Sequence, residues 1–163
     1  MEEDILNVNI ALSETSRENI ATFLQTLLAS SFALFIKTQN FHWNVTGVQF
    51  PSFHLLFQNQ YEELFTAIDD IAERVRALGF HPKASLSVFS DLSIIEDEER
   101  LLSAIEMLHR LLQDHEDMTK FLRENLSFAE RCQDGATADF INKRLAVHEK
   151  AAWMLRSTLP QKH

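Results

Sequence analysis

Residues Phe41 to Gly79 read FHWNVTGVQFPSFHLLFQNQYEELFTAIDDIAERVRALG. Between Pro51 and Leu78 there is no glycine and no second proline, which favours one uninterrupted helix. Pro51 suits the first helical position, and Gly79 suits the left-handed cap after the last turn. The stretch therefore predicts a long second helix that follows a short turn around Gly47.

One face of this predicted helix carries side chains that bind metals. At about 100° per residue, six side chains fall within a stripe about 100° wide. They are His54, Gln58, Glu62, Phe65, Asp69 and Glu73. Several carboxylates beside a phenylalanine are costly to bury without a cation, so the group favours a metal site. A solvated helix surface is the alternative for any single member.

One straight helix cannot bring all of these groups to one ion. His54 and Asp69 are about 22 Å apart at 1.5 Å per residue. If the same helix of a second subunit lies antiparallel across a two-fold axis, His54 of one chain meets Asp69 and Glu73 of the other, and two equivalent sites form. His42 joins them from the preceding helix, across the turn. Imidazoles with carboxylates suit Fe(II) or Zn(II) better than Ca(II) or Mg(II).

The bulk composition indicates a single all-α domain. The chain has 163 residues, 45% of them hydrophobic, which is enough for a core of ordinary size. Three glycines and three prolines are too few for the many turns of a sheet and favour long helices. One domain is therefore predicted over residues 1–163, with tails at 1–12 and 160–163.

Charge and cysteine content indicate the compartment and the partners. Cys132 is the single cysteine, which excludes an internal disulfide framework and fits a reducing compartment. No signal peptide is visible and no apolar run approaches the length that spans a bilayer, so a cytoplasmic location without a membrane is expected. The formal charge of -9 argues against binding nucleic acid, which needs many basic side chains.

The remaining chain predicts three more long helices. The first runs from a capping box of Thr15 and Glu18 to about Asn44. The third starts near Ser93 to Glu96 and ends near Phe128, and the fourth spans about Thr137 to Leu159. The connection 79–95 contains KASLSVFSDLS, which is able to form one or two helical turns. Its length allows the second and third long helices to lie parallel, as in ferritin-like bundles.

Histidines outside the stripe carry weaker signals. Glu106 and His109 form a Glu-x-x-His pair, but a diiron centre within one chain needs two such pairs and two further glutamates. A surface polar pair is therefore the favoured interpretation. His81, His115 and His148 lack ligand-spaced partners and are expected to be solvated or satisfied by neighbours.

Three motifs of this chain resemble the Dps family of ferritin-like proteins. They are HWNVTG at 42–47, IDDIAERVRALG at 68–79 and HEKAAWMLRS at 148–157. The resemblance covers nearly the whole chain. It implies a hollow homo-oligomer, a dodecamer of four-helix subunits with an extra short helix, in which iron is oxidised between two-fold-related subunits and stored as ferric mineral.

The resemblance places His42, His54, Asp69 and Glu73 on the iron-ligand positions of the family. Gln58 stands where the family has Asp or Glu. A neutral amide removes one negative charge from a site for two cations, so weaker occupancy of the second iron position is expected.

Neighbouring residues match other positions of the family. Glu62, one turn after Gln58, partly compensates for the missing charge. Lys37 and Trp43 match positions that support the ligands, and for Trp43 the role of a large core side chain is an equal alternative.

Other features bear on entry of iron and on DNA. Glu130, Asp134 and Asp139 lie near positions where the family lines three-fold pores, and plain helix capping is the equal alternative for them. Family members that bind DNA often have a lysine-rich N-terminal tail, whereas this chain starts MEED and ends PQKH. DNA binding is therefore predicted to be absent.

The resemblance thus implies an iron-storage cage with ferroxidase activity. Fe(II) is oxidised with hydrogen peroxide in preference to dioxygen, and the cell is protected against oxidative stress. Two rival functions remain open from the sequence. One is a DNA-compacting cage, and the other is a non-catalytic cage that binds zinc or another divalent ion.

Overall fold

Helices make up most of the chain that the structure describes. The structure is a computed structural model, and it describes residues 8–160. The helices are α1 (Glu14–Asn44), α2 (Phe50–Ala77), α3 (Leu86–Leu92), α4 (Ala104–Arg131) and α5 (Gly135–Thr158). The all-α prediction is confirmed. The MEED start and the last three residues of PQKH lie outside the described residues.

The end of α2 follows the sequence prediction, whereas the start of α1 does not. Gly79 adopts the left-handed conformation (φ +95°), and its N–H donates to the Arg76 carbonyl at 2.9 Å. At α1 the predicted capping box of Thr15 and Glu18 is wrong. Ser13 caps this helix, and its hydroxyl accepts the Ser16 N–H at 3.1 Å.

Contacts between helices establish the topology of the bundle. Near the end of α2, Arg74 donates to Asp134 at the start of α5, at 2.7 Å. Further back along α2, Glu63 pairs with Arg144 in α5, so the two helices are antiparallel. Helices α4 and α5 are joined by a turn of three residues, 132–134, and are also antiparallel. Helices α2 and α4 are therefore parallel, which confirms the predicted crossover.

The crossover contains the predicted short helix but is longer than expected. Ser85 caps α3 and accepts the Val88 N–H at 3.3 Å. The predicted start of the next helix near Ser93 is wrong. Ser93 ends α3, and the following Ile94 donates its N–H to Ser30 of α1 at 3.1 Å. This tether and the burial of Ile95 hold the chain extended along the bundle.

Helix α4 begins at Ala104 with the capping box of a different serine. Ser103 accepts the Glu106 N–H at 3.4 Å, and the Glu106 carboxylate accepts the Ser103 N–H at 2.8 Å. Both 93–96 and 103–106 have the Ser-x-x-Glu pattern. Both segments therefore predict a helix start equally well. The tertiary contacts of residues 94 and 95 keep the first segment out of the helix, so α4 starts at the second.

The hydrophobic core runs along the bundle axis and explains the composition of α1. This helix contains a window with a mean hydropathy of 1.6, long and apolar enough to cross a membrane by length and composition. That finding corrects the expectation that no run approaches this length. In the bundle 56% of the window is buried, and Leu24, Leu27 and Leu34 are fully enclosed. The apolar side chains of α1 therefore pack in the core of the bundle.

Replacement of the α4 cap tests its contribution to stability. Ser103→Ala is expected to lower the free energy of unfolding by about 1 kcal/mol, because the exposed N–H groups of the first turn lose an acceptor. Urea unfolding followed by circular dichroism measures the change. Thr15→Ala is the matched control, since Thr15 is exposed and does not cap α1. Equal effects of the two substitutions would contradict the assignment.

Candidate metal centre

Two imidazoles close the hairpin between α1 and α2. His42 lies in the last turn of α1 and His54 in the first turns of α2. The Nδ1 of His42 lies 2.8 Å from the carbonyl oxygen of His54, and the Nδ1 of His54 lies 2.8 Å from the carbonyl oxygen of His42. The rings stack with centroids 3.6 Å apart. Each histidine thus fixes the other.

This reciprocal pairing sets the tautomers of both rings. A carbonyl oxygen only accepts hydrogen bonds, so each Nδ1 carries the proton and donates it. A neutral ring protonated at Nδ1 keeps its lone pair on Nε2. Neither the Nε2 of His42 nor that of His54 has a hydrogen-bond partner within residues 8–160. Backbone acceptors of this kind orient the histidine ligands of metals in proteins.

Aromatic side chains hold the outer faces of the histidine pair. The Phe50 ring lies 4.9 Å from the His54 ring, and Tyr61 meets the His42 ring edge-on at 5.1 Å. His42 is only 7% exposed. The imidazoles are therefore fixed between rings before any ion arrives.

The carboxylates of the stripe lie on the outer surface of α2. Asp69 and Glu73 are both exposed, and Phe65 between the histidine end and these carboxylates is 67% exposed. An exposed phenylalanine on this face indicates a surface that is suited to contact with another molecule. Gln58 donates its amide N–H to Glu62 at 2.8 Å, which leaves its carbonyl oxygen available as a ligand.

One chain does not assemble the predicted ligands around a single point. Over residues 8–160, no group of three or more His, Cys, Asp or Glu side chains is close enough to hold an ion. His42 and His54 come together, whereas Asp69 and Glu73 lie several turns further along the same straight helix. In one chain the histidine half of the predicted site is therefore separated from its carboxylate half.

Lys37 and Trp43, the two residues expected to support the ligands, differ in burial. Lys37 is buried and donates to Asp114 of α4 at 2.7 Å, so it reaches across the bundle. Burial raises the pKa of Asp114, and the Lys37 ammonium opposes this shift. Trp43 is 66% exposed, so its alternative role as a core side chain of this chain is wrong.

The acidic residues near the turn between α4 and α5 have separate roles. Asp134 is 3% exposed and caps α5, where it accepts the N–H of Thr137 at 3.0 Å. Its carboxylate also pairs with Arg74 at 2.7 Å, so the capping interpretation applies to Asp134. Glu130 and Asp139 are exposed and stay candidates for a pore.

Hydrogen bonds dominate the ionisation of Asp134. Burial raises its pKa, but the Thr137 hydroxyl and N–H together with Arg74 lower it by more, so the pKa lies below its ordinary value. This carboxylate is therefore charged in the folded protein at neutral pH. It joins the start of α5 to the end of α2.

Two histidines that the sequence left unassigned form a buried pair. His115 of α4 and His148 of α5 are 2% and 0% exposed, and their Nδ1 atoms lie 2.9 Å apart. Of the two alternatives that the sequence left open, solvation is wrong, whereas hydrogen bonding to a neighbour is what the structure shows. Their spacing contains a signal for burial, because each continues a row of core residues. The rows are Leu108, Leu111, His115, Met118, Leu122 and Ile141, Leu145, His148, Ala152, Leu155.

Glu106 and His109 lie one turn apart near the start of α4. Both are exposed, and the Glu106 carboxylate accepts hydrogen bonds from Ser103. The prediction of a surface polar pair is confirmed. His81 is also exposed, as expected, and its Nδ1 lies 2.7 Å from Arg76.

Comparison with known families and relatives agrees with this architecture. Residues 21–161 match the family model described as a ferritin-like domain. A relative in Bacillus anthracis, called DNA protection during starvation protein 2, is 34% identical over 144 residues, which cover 88% of this chain and 99% of that protein.

Solved structures show the same fold. A Dps protein from Bacillus brevis superposes with a TM-score of 0.85 at 33% identity, covering 88% of this chain and 96% of that one. A Dps protein from Vibrio cholerae, described as a member of a superfamily of ferritin-like diiron-carboxylate proteins, gives a TM-score of 0.88 at 25% identity, covering 93% and 96%.

The charge of Asp134 is expected to stabilise the fold in a pH-dependent way. Because its folded pKa is lowered, the stabilisation is fully present above the unfolded pKa and is lost as pH falls through the folded pKa. Asp134→Asn keeps a capping side chain but removes the charge, so it is expected to cost about 1–3 kcal/mol at pH 7 and less as pH falls below about 4, the ordinary pKa of an aspartate.

Urea unfolding of wild type and variant between pH 3 and pH 7 measures this difference. Asp139→Asn is the matched control, because Asp139 is exposed on the same helix. A difference between wild type and Asp134→Asn that is constant with pH would contradict the role of the charge.

Proposed function

The chain belongs to the Dps family of ferritin-like proteins, and from this premise we propose that it is an iron-storage and detoxification cage with ferroxidase activity. Its substrate is Fe(II), which is oxidised at sites between subunits and kept as ferric mineral inside a closed homo-oligomer. A dodecamer in the cytoplasm is the proposed form. The family membership supports storage of iron and protection in general.

The observation that carries the proposal is the fixed orientation of the histidine pair. His42 and His54 each direct a free Nε2 away from the hairpin, because each Nδ1 donates to a carbonyl oxygen at 2.8 Å. Two nitrogen ligands alone bind iron weakly and leave its charge uncompensated. A complete site needs carboxylates that this chain does not bring near them.

A second copy of the chain is the proposed source of those carboxylates. Asp69 and Glu73 lie exposed on the face of α2 that carries His54, several turns away. When two α2 helices cross antiparallel on a two-fold axis, the histidines of one chain meet the carboxylates of the other at both ends of the contact. The exposed Phe65 supplies apolar area on this face, and Trp43 in the last turn of α1 is exposed as well. Each cage interface of this type holds two sites.

Gln58 is proposed to weaken one of the two iron positions in each site. Its amide nitrogen donates to Glu62, so only its neutral carbonyl oxygen is offered to an ion. Carboxylates hold hard cations more strongly than amides, and Fe(III) needs negative charge more than Fe(II) does. Glu62 lies beside Gln58 and partly compensates for the charge.

The residues bind and orient the iron, and the electrons come from the substrate. Two Fe(II) ions give up one electron each, hydrogen peroxide accepts both, its O–O bond breaks and water or hydroxide forms. Dioxygen is the slower alternative oxidant in this proposal. Removing Fe(II) together with peroxide prevents the one-electron reaction that releases hydroxyl radicals, so the cage protects the cell against oxidative stress.

Two rival functions make different demands on the protein. A DNA-compacting cage is disfavoured by the formal charge of -9, although the B. anthracis relative carries the name of a DNA protection protein. A non-catalytic cage for zinc or another divalent ion would use the same ligands. Iron oxidation separates this second rival from the proposed function.

Subunit mixing tests whether two chains build each site. His54→Ala and Asp69→Asn are each expected to lose iron oxidation as pure assemblies, because every site lacks a ligand. When the two variants are co-assembled at equal amounts, half of the interfaces are mixed and each holds one intact site. Activity is therefore expected to return to about a quarter of the wild-type value. Absorbance of ferric iron after addition of Fe(II) and peroxide measures the rate.

The mixing experiment has clear controls. His109→Ala removes an exposed histidine of α4 and is expected to keep full activity. No recovery in the mixture would show that each site lies within one chain. Full activity of the His54→Ala assembly would overturn the ferroxidase proposal.

The charge of residue 58 is expected to control binding of the second iron. Gln58→Asp restores a carboxylate and is expected to tighten the weaker Fe(II) position about tenfold, equal to about 1.4 kcal/mol. Anaerobic Fe(II) titration by calorimetry measures both positions. Asn59→Asp adds the same charge one residue away, off the stripe, and is expected to leave both unchanged. Two equally tight ions in the wild type would contradict the weakening.

A further inference from the structure

The buried pair of His115 and His148 has no part in the proposed iron site. The two rings join α4 to α5, with their Nδ1 atoms 2.9 Å apart. Arg144 extends this network, because its Nη2 lies 3.3 Å from the Nε2 of His148 and 3.0 Å from a carboxylate oxygen of Glu63 in α2. One chain of hydrogen bonds therefore connects three of the four long helices through two rings that are closed off from solvent.

The donors and acceptors of this chain of hydrogen bonds fit together in one way. An arginine only donates, so the Nε2 of His148 accepts from Arg144. The proton of a neutral His148 is then on Nδ1, and it is donated to the Nδ1 of His115. The proton of a neutral His115 is left on Nε2, which has no partner within residues 8–160. Both rings are neutral in this arrangement.

An additional proton breaks one of the two contacts on whichever ring it is placed. A charged imidazole carries a proton on both nitrogens and has no lone pair with which to accept. A charged His148 therefore directs its Nε2 proton at the guanidinium of Arg144. A charged His115 directs its Nδ1 proton at the Nδ1 of His148, which already carries one. If His148 moves that proton to its Nε2, it loses the contact with Arg144 instead. The network is intact only while both rings are neutral.

Charged groups surround the buried histidine pair on each helix that packs near it. On α2, Glu63 forms an ion pair with Arg144 of α5. On α4, the neighbouring Asp114 forms an ion pair with Lys37 of α1. Lys150 of α5 is exposed at the edge of the cavity beside the pair and adds positive charge. Because both of these carboxylates already hold a cation, neither is free to neutralise a charged imidazole.

Burial and the adjacent positive charge both oppose protonation of the folded chain. Burial first, and the charge of Arg144 second, lower the pKa of His115 to about 3. Burial, His115 and Arg144 lower the pKa of His148 well below its ordinary value. In the unfolded chain both rings return to a pKa of about 6.5. The stability that the neutral pair gives is therefore fully present above the unfolded pKa. It is lost as pH falls from there towards the folded pKa values, because the unfolded chain binds two more protons than the folded one.

We propose that the buried histidine pair is an acid-sensitive lock on the subunit. At neutral pH it holds α4 against α5, and on acidification the uptake of protons favours an open state in which the two helices are separated. Every copy of the chain carries the same lock, so one fall in pH acts on all subunits of an assembly together. In an iron cage this opening releases the stored mineral, a consequence that rests on the proposed function.

The pH dependence of unfolding in the iron-free full-length chain tests the lock. Circular dichroism in a fixed urea concentration, at one protein concentration, gives the unfolding constant at pH 6 and at pH 5. Two histidines that stay neutral when folded raise this constant about 60-fold between the two pH values. His115→Gln combined with His148→Gln keeps a donor and an acceptor at each position but does not titrate. The rise in this double variant is expected to be about 60-fold smaller than in the wild type.

A variant that lacks two other histidines is the matched control. His81→Gln combined with His109→Gln removes two exposed rings, which solvent reaches in the folded chain as well as in the unfolded one. This control is expected to keep the full rise of the wild type. An equal rise in the wild type and in the variant of the buried pair would overturn the proposal. Because no iron is present, the result is independent of whether the protein is a ferroxidase.

A direct measurement on the rings keeps the test decisive if the double variant fails to fold. Nitrogen-15 magic-angle-spinning NMR of histidine-labelled wild type distinguishes charged from neutral rings and shows which nitrogen holds the proton. At pH 5 both buried rings are expected to be neutral, with the proton of His148 on Nδ1 and that of His115 on Nε2. A charged buried ring in the folded protein at pH 5 would overturn the proposal, and so would the opposite pair of tautomers.

Discussion

The exchange of hydrogen bonds between His42 and His54 is the constraint on which the candidate site depends. Each imidazole donates to the carbonyl of the other, so the last turn of α1 and the first turns of α2 are held together by the groups that are proposed to bind iron. Ordinary packing of the hairpin would leave the ring orientation open. Here the fold of the hairpin also fixes the tautomers. The conformational entropy of the two imidazole rings is therefore lost when the chain folds, and not when a metal ion binds.

Two polar networks interrupt the hydrophobic core of the bundle. Lys37 with Asp114, and the chain of Glu63, Arg144, His148 and His115, connect all four long helices. Buried ion pairs contribute little net stability compared with apolar packing. Their geometry is specific, however, so they fix which helices are neighbours and in which register. A bundle with parallel α2 and α4 needs such specificity, because apolar stripes alone fit several arrangements.

Helix α2 has two different faces. His54, Gln58, Asp69 and Glu73 lie along the face that a second chain is proposed to cover, whereas Gln60 on the opposite side is buried in the bundle. Two residues on a helix that are separated by about 200° cannot serve one ligand. Helix α2 therefore packs in the core with one side and carries the surface of the proposed assembly on the other.

The sequence by itself determined the helices, the crossover and the stripe of candidate ligands on α2, because these follow from periodicity and from the few glycines and prolines. It also indicated the cap at Gly79, where only a residue without a side chain is free of strain. Tertiary structure alone decided between the serines at 93 and 103, since both have the same local pattern and distant contacts to Ser30 select one. It also decided the tautomers of His42 and His54 and the pairing of His115 with His148, because these depend on atoms that are separated in the chain and meet only in the bundle.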